Sequence, residues 1–375
     1  MISERSFYDK ESLYIAGPEV FYPNGTKLLL AMRRKAEALG FGVALPNDNV
    51  LKLDHEDPRR NADSIFANCA DSINRSTAIV ADLEAFRGAE PDGGTIYEIG
   101  MAYARGLRCY AYSRDMRPAA QKYAAAVLKG GVLYDLEGRV FPYPDLPYSP
   151  CIVGSSKLIE GDLDACLCAL KQDIDEERKF KTRRRTPGMD LSAGVTVKKG
   201  AGPVIYLAGQ DRYGDTAGPW FERMKAIYRQ YGFEPYSPAD DAPGVPRDYP
   251  DDPLAGAYHL FDHWQQHVRN CDVIVADLND FHGWEPNSDA AFEAGMAWQL
   301  GKKCFGFMTD ASPMIDRVPH LGEEMDYRDQ GGSGVENFHY PLNLMFSSSM
   351  PILEGTMETV AARIAQACRE CGLLQ

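Results

Sequence analysis

The chain has 375 residues, 45% of them apolar and 25% charged, enough to fill more than one hydrophobic core and too apolar for disorder along its whole length. Its 54 acidic against 40 basic residues give a net charge of −14, which repels a polyphosphate backbone and argues against nucleic acid as a partner. No apolar run approaches the roughly 20 residues needed to cross a bilayer, and the start, MISERSFYDKESLYIAG, lacks the basic and apolar regions of a signal peptide. The expectation is a cytoplasmic protein with no membrane contact, and nine scattered cysteines, most inside apolar segments, fit a reducing compartment.

In chain order, short apolar runs predict strands over residues 13–16, 41–45, 78–81 and 109–112. Helical periodicity predicts helices over 27–39, 63–74, 94–105 and 161–171. Continuously apolar strands separated by helices are the pattern of parallel βαβ units covered on both faces, so the expected class is α/β with a doubly wound parallel sheet. Right-handed crossovers bring the carboxyl ends of such strands to one edge, where ligands bind. Gly17-Pro18-Glu19, Asn47-Asp48-Asn49 and the stretch from Asp82 to Glu98 all fall there.

The chain is also written twice. Phe86-Arg87-Gly88-Ala89-Glu90-Pro91 is answered 195 residues later by Phe281-His282-Gly283-Trp284-Glu285-Pro286, as are Val80-Ala81-Asp82-Leu83 by Val275-Ala276-Asp277-Leu278 and Glu98 by Glu293. Tyr14-Ile15-Ala16-Gly17 meets Tyr206-Leu207-Ala208-Gly209 at a shift of 192. The expected organisation is copy one over residues 1–177, a linker over 178–202 and copy two over 203–375. The linker begins with six basic residues in eight, RKFKTRRR, and is read as a solvated tether rather than a nucleic-acid strip.

Asp92 in a loop and Glu98 one turn into the following helix can converge on one ligand. A glutamate near a helix N-terminus feels the positive end of the dipole, which favours the ionised form expected of a nucleophile. A carboxylate nucleophile with a second proton-carrying group is the apparatus for displacement at an anomeric carbon with retention. The same spacing also fits helix capping. Tyr14 brings a phenol to the end of the first strand, and Glu98 recurring as Glu293 is more than a solvated helix position requires.

On Tyr14-Ile15-Ala16-Gly17-Pro18, Val80-Ala81-Asp82-Leu83 with Phe86-Arg87-Gly88, and Asp92-Gly93-Gly94-Thr95-x-Tyr97-Glu98-x-Gly100-x-Ala102, both copies resemble the nucleoside 2-deoxyribosyltransferases over nearly their full length. The resemblance implies two tandem flavodoxin-like domains, transfer of a 2-deoxyribosyl group between nucleobases through a covalent sugar ester, and no cofactor or metal. It implies Glu98 as nucleophile, Tyr14 orienting it and Asp92 contacting the nucleoside, with Gly17, Phe21, Asp48 and Gly94 as further substrate-binding candidates. The family completes each site with an asparagine from a neighbouring subunit. Asn343 in copy two matches that residue, whereas copy one has Pro147-Tyr148-Ser149-Pro150-Cys151 there, so Asn343 is expected to reach the copy-one site, making the chain an intrachain pseudo-dimer that could assemble further into a homo-oligomer.

Copy two has Asn287 in place of Asp92, and its second-copy candidates are Tyr206, Asp289 and Glu293, with an acidic pair conceivable from the last two. Where the family has an aspartate facing the base, the best match is Cys69, with Asp71 two residues on. His259, His263 and His267 recur every four residues, but the outer two would lie about 12 Å apart along a helix, so they are read as a polar face. Cys368 and Cys371 form a lone CxxC without a second pair, read as packing thiols. The alternatives are an N-glycosidase acting on nucleosides or their 5′-monophosphates, with Arg87 the one charge offered for a phosphate, and a nucleoside-binding sensor. Small-molecule nucleosides and nucleobases are the expected partners.

Overall fold

Side chains alternate along the first strand in a way that fixes the whole arrangement: Leu13 and Ile15 enter one apolar cluster, Tyr14 and Ala16 another. Both faces of the sheet are therefore covered, as continuous apolar strands require. The computed structural model describes residues 11–48, 51–122, 127–129, 132–134, 143–180, 200, 202–209, 217–240, 251–322 and 326–375.

Copy one runs β1 (Ser12–Ala16), a 3-10 turn (Pro18–Phe21), α1 (Gly25–Ala38), β2 (Gly42–Ala44), α2 (Pro58–Arg75), β3 (Ala78–Asp82), α3 (Gly93–Ala104) and β4 (Arg108–Ser113). It continues through α4 (Ala119–Lys122), a hairpin of β5 (Val127–Lys129) and β6 (Val132–Tyr134), α5 (Pro150–Ser155), β7 (Lys157–Glu160) and α6 (Leu163–Phe180). Copy two repeats the plan with β8 (Val204–Ala208), α7 (Ala217–Gln230), β9 (Glu234–Tyr236), α8 (Pro253–Asn270), β10 (Val273–Asp277), α9 (Ser288–Gln299) and β11 (Lys303–Met308). It then adds α10 (Met314–Arg317), a hairpin of β12 (His320–Leu321) and β13 (Arg328–Asp329), α11 (Leu344–Ser347), β14 (Ile352–Glu354) and α12 (Ala361–Glu370).

The two main sheets have orders β2-β1-β3-β4-β7 and β9-β8-β10-β11-β14, with every neighbouring pair parallel. This is the flavodoxin-like doubly wound order, twice, with its switch point between the first and third strands of each copy. The strand β7, which lies at a sheet edge and is largely half-buried, was not among the sequence expectations. Helix α6 runs on to Phe180, three residues past the expected end of copy one, and residues 181–199 of the expected linker lie outside the described residues. Among the described residues no helix is long and apolar enough to cross a membrane, and all nine cysteines are free thiols.

Local sequence explains the helix that matters most for the site. Asp92 caps α3, its Oδ2 accepting from Thr95 N at 2.8 Å and Thr95 Oγ1 at 2.7 Å. From Gly93 to Tyr103 every residue of α3 is buried, because the helix lies on its own sheet and under α9 of the other copy. The crossing is close. A Cβ on Gly100 would stand 2.2 Å from the Phe292 carbonyl oxygen, and one on Gly295 would stand 2.1 Å from the Tyr97 carbonyl oxygen.

The inner layers of the two copies merge into one apolar core, while each outer layer has its own. Each copy also lends its short helix to the other: α5 packs on α8 and α9, and α11 packs on α2 and α3. The loops after β3 and β10 pair across the same interface, with Ala89 N donating to His282 O at 2.8 Å and Trp284 N to Arg87 O at 3.0 Å. Replacing Gly100 with valine is expected to wedge α3 from α9 and cost about 1–3 kcal/mol, as overpacked cores do. The check is the Tm of the variant, and an unchanged Tm would contradict contact at this crossing.

Candidate active site

Because Tyr14 faces the inner layer, its phenol meets the helix that lies there. Tyr14 Oη donates to Glu98 Oε1 at 2.5 Å, both groups buried. Asp92 is 3% exposed, and its Oδ1 is buried with no hydrogen-bond partner, while Oδ2 is held by the cap. Glu98 and Asp92 open onto a cleft of about 740 Å³ whose walls come from both copies. Copy one supplies Gly17, Phe21, Cys69 and Gly94 among others, and copy two supplies Arg328, Glu336, Phe338, Asn343 and Met345.

Asn343 is 5% exposed, caps α11 by accepting from Met345 N at 2.8 Å, and lies flat on Gly94. A Cβ at Gly94 would stand 2.7 Å from Asn343 Nδ2, so glycine is what admits the amide here. Phe21 stacks on Phe86 with ring centroids 5.3 Å apart and lines the cleft mouth. Its carbonyl accepts from Gly334 N at 2.6 Å and from Arg328 Nη1 at 3.0 Å, tying copy two over the first strand's end.

The electrostatics add burial to the helix position. Burial pushes the Glu98 carboxyl up to about 8, the Tyr14 hydrogen bond opposing this and the Asp92 charge adding to it. Burial thus works against the ionised form that the position near the helix N-terminus favours. Asp92 is also raised, by burial first, with the Thr95 bonds and the Arg87 charge opposing. Glu336 is pushed up to about 7 by burial, and its Oε2 accepts from Leu344 N at 3.1 Å, beside Asn343.

Other candidates fall differently. Asp48 does not line the cleft: its Oδ2 closes the turn to Leu45 N at 2.8 Å and its Oδ1 pairs with Arg33, while neighbouring Asn47 takes the place at the wall. Asn49 lies outside the described residues. Cys69 lines the cleft within reach of Tyr14, its thiol pushed up to about 12 by burial, whereas Asp71 pairs with Arg75 in an exposed ion pair. The Arg87 guanidinium is buried against Asp329, Glu285 and the Gly334 carbonyl, so it is not offered to a substrate phosphate.

In copy two the phenol and carboxylate pair is kept, Tyr206 Oη donating to Glu293 Oε1 at 2.8 Å. Asp289, at the position of Gly94, accepts from Cys151 N at 3.0 Å and so holds α5 of copy one. Asn287 caps α9 through Asp289 N and Ala290 N. His263 and His267 bond to each other at 3.0 Å, and His263 also to the Asp240 carbonyl. Among the described residues no group of three or more ligating side chains could hold a metal ion.

Sequence reasoning missed Glu336, Arg328 and Phe338, none of which stands in a motif that the repeat comparison brought out. It also passed over Glu285, visible only as the repeat partner of Glu90.

Comparison with known proteins follows the same lines. The family described as Nucleoside 2-deoxyribosyltransferase matches residues 13–148 and 205–345. A solved 2-deoxyribosyltransferase from Leishmania mexicana is similar at 27% identity, covering 44% of this chain and 97% of its own, with a TM-score of 0.36. A conserved protein from Enterococcus faecalis V583 is similar at 19% identity, covering 45% and 99%, with a TM-score of 0.31. A 2-deoxyribosyltransferase from Bacillus psychrosaccharolyticus is similar at 18% identity, covering 42% and 90%, with a TM-score of 0.27. No curated protein matches the chain. With the family matched over most of its length, in two separate regions that each take in the first four strands of one sheet, the chain belongs to the nucleoside 2-deoxyribosyltransferase family and carries it in two tandem copies.

Proposed function

We propose that copy one exchanges the base of a 2′-deoxynucleoside, with Glu98 as the nucleophile. The observation that carries this reading is the buried Tyr14 to Glu98 bond at the floor of a cleft that also holds an unpartnered Asp92 oxygen. Glu98 attacks C1′, the bond to the base nitrogen breaks, and the electron pair leaves with the base, which takes up a proton. The second base then attacks C1′ through a nitrogen that loses its proton, releasing the carboxylate. Two inversions give retention, and the kinetics are ping-pong.

Asp92 Oδ1 is the acceptor suited to a sugar hydroxyl, and Asn343 offers its amide nitrogen from the facing wall. Glu336 is a cleft carboxyl that titrates close to neutrality, suited to carry the base proton, and Cys69 meets the base side as a neutral thiol. Among the described residues the cleft is lined by Asp92, Glu98, Asp326 and Glu336 against Arg328 alone, which favours an uncharged nucleoside over a 5′-monophosphate. Copy two is read as the scaffold of this site without an independent reaction of its own, since Asp289 is engaged with α5. We read the division into residues 1–177, 178–202 and 203–375 as the boundary of these two roles.

The deciding experiment is chromatography of the protein with 2′-deoxyinosine and adenine. Formation of 2′-deoxyadenosine without phosphate supports base exchange, whereas free hypoxanthine with no new nucleoside replaces it with hydrolysis. Glu98→Ala is expected to abolish turnover while Glu293→Gln leaves it within about twofold, and loss in both would contradict a single site. Asn343→Ala should weaken substrate affinity if it completes the site, and an unchanged KM would remove it from the reading.

Glu98 must be ionised while Glu336 holds the proton it gives to the base, so kcat/KM is expected to follow a bell with its acid limb near 7 and its alkaline midpoint at about 8. The Tyr14 bond lowers the Glu98 pKa, so Tyr14→Phe should move this midpoint upward and depress activity most below it. A pH-rate profile with the midpoint unmoved in the variant would sink this assignment.

A further inference from the structure

The carboxylate of Glu285 belongs to copy two but reaches the helix that carries Asp92 and Glu98. Its Oε2 accepts from Gly93 N at 3.0 Å, and its Oε1 takes Arg87 Nη1 at 3.4 Å; both side chains are 2% exposed. Gly93 is the residue between Asp92 and the rest of α3, so the orientation of its peptide group decides where Asp92 Oδ1 points. We propose that Glu285 is a positioning residue of the copy-one site, anchoring the first turn of α3 from across the copy interface. The proposal rests on the base-exchange reading and extends it to a residue that touches no substrate.

Three observations carry it. First, the anchor is built for the backbone: a Cβ on Gly93 would stand 3.0 Å from Glu285 Oε2 and 2.9 Å from the Pro286 ring, so Glu285 meets this turn only through its amide. Secondly, the carboxylate is itself fixed, because the Arg87 guanidinium that holds it is held in turn by Asp329 Oδ2 at 3.0 Å and by the Gly334 carbonyl. Thirdly, the device is used twice: Glu90 of copy one accepts from Ser288 N at 3.3 Å and from the Ser288 hydroxyl, at the start of α9. In copy two that anchored turn carries Asn287 in place of Asp92. The same contact thus serves a substrate-facing turn in one direction and a merely structural one in the other.

That asymmetry supplies the control. Glu285→Ala and Glu90→Ala each remove one anchor from the same interface and are expected to lower the Tm alike. Only Glu285→Ala should reduce the kcat of base exchange, by about tenfold or more, as small misplacements of reacting groups do, with KM within about twofold of wild type. Glu285→Gln retains the acceptor oxygen and should restore most of the kcat, and Glu90→Ala should keep the wild-type value. If Glu285→Ala does not fold, Glu285→Asp takes its place, keeping the charge while shortening the reach by one carbon. Equal loss of kcat in Glu285→Ala and Glu90→Ala, an unchanged kcat in Glu285→Ala, or no recovery in Glu285→Gln would each overturn the proposal. Should the wild-type protein exchange no bases, the function reading falls, and amide hydrogen exchange decides the anchor by itself. Faster exchange over residues 93–95 in Glu285→Ala then supports it, and unchanged protection there overturns it.

Discussion

Helix α3 has no face left for solvent, and this constraint governs the rest of the molecule. Its apolar residues lie on the first sheet and against α9, and the glycine crossing brings the two helices within backbone contact. A carboxylate on a helix buried in this way reaches a ligand only if an open space is kept beside it. The space lies at the carboxyl edge of the sheet, where the strand order reverses. Since α9 and the segment around Asn343 belong to the second copy, the cleft is a property of the pair and not of either half.

Burying several acids together sets the electrical character of the site. Glu98, Glu285 and Glu336 are all raised by desolvation, and Arg87 is the buried cation that opposes the rise at the last two. A phenol at 2.5 Å from the carboxylate gives Glu98 local compensation, which copy two repeats with Tyr206 and Glu293. The copies differ at the next layer out: Gly94 leaves room for an amide from the other half, whereas at the corresponding position Asp289 extends a side chain that accepts from α5.

The strands were legible because both faces of each sheet are covered, which leaves continuous apolar runs such as Ala78 to Ala81. Tyr14, Asp92 and Glu98 were legible because capping, strand alternation and recurrence all bear on the same few positions. Strand β7 was not, since KLIE sits half-buried at an edge and its pattern is too short to read. Asp48 resembled a site residue because turn formers and ligand groups share a composition; its carboxylate closes its own turn. The upward shift of Glu98 was not legible for a different reason: the dipole follows from helix position alone, whereas desolvation depends on what the other copy covers. Glu336 and Glu285 act across the interface, and their surroundings are set by residues far away in the chain.

Joining the two halves in one polypeptide alters how the cleft comes into being. When two separate chains build a shared cleft, the fraction assembled falls on dilution, whereas a tethered partner is present at an effective concentration fixed by the connection. Here the wall bearing Asn343 and Glu336 accompanies Glu98 at every protein concentration. Fusion also removes the demand that both halves satisfy the same sequence at once. In a symmetric pair, aspartate at the position of Gly94 would take the seat of the Asn343 amide from both halves together, whereas in this chain glycine stands in one half and aspartate in the other.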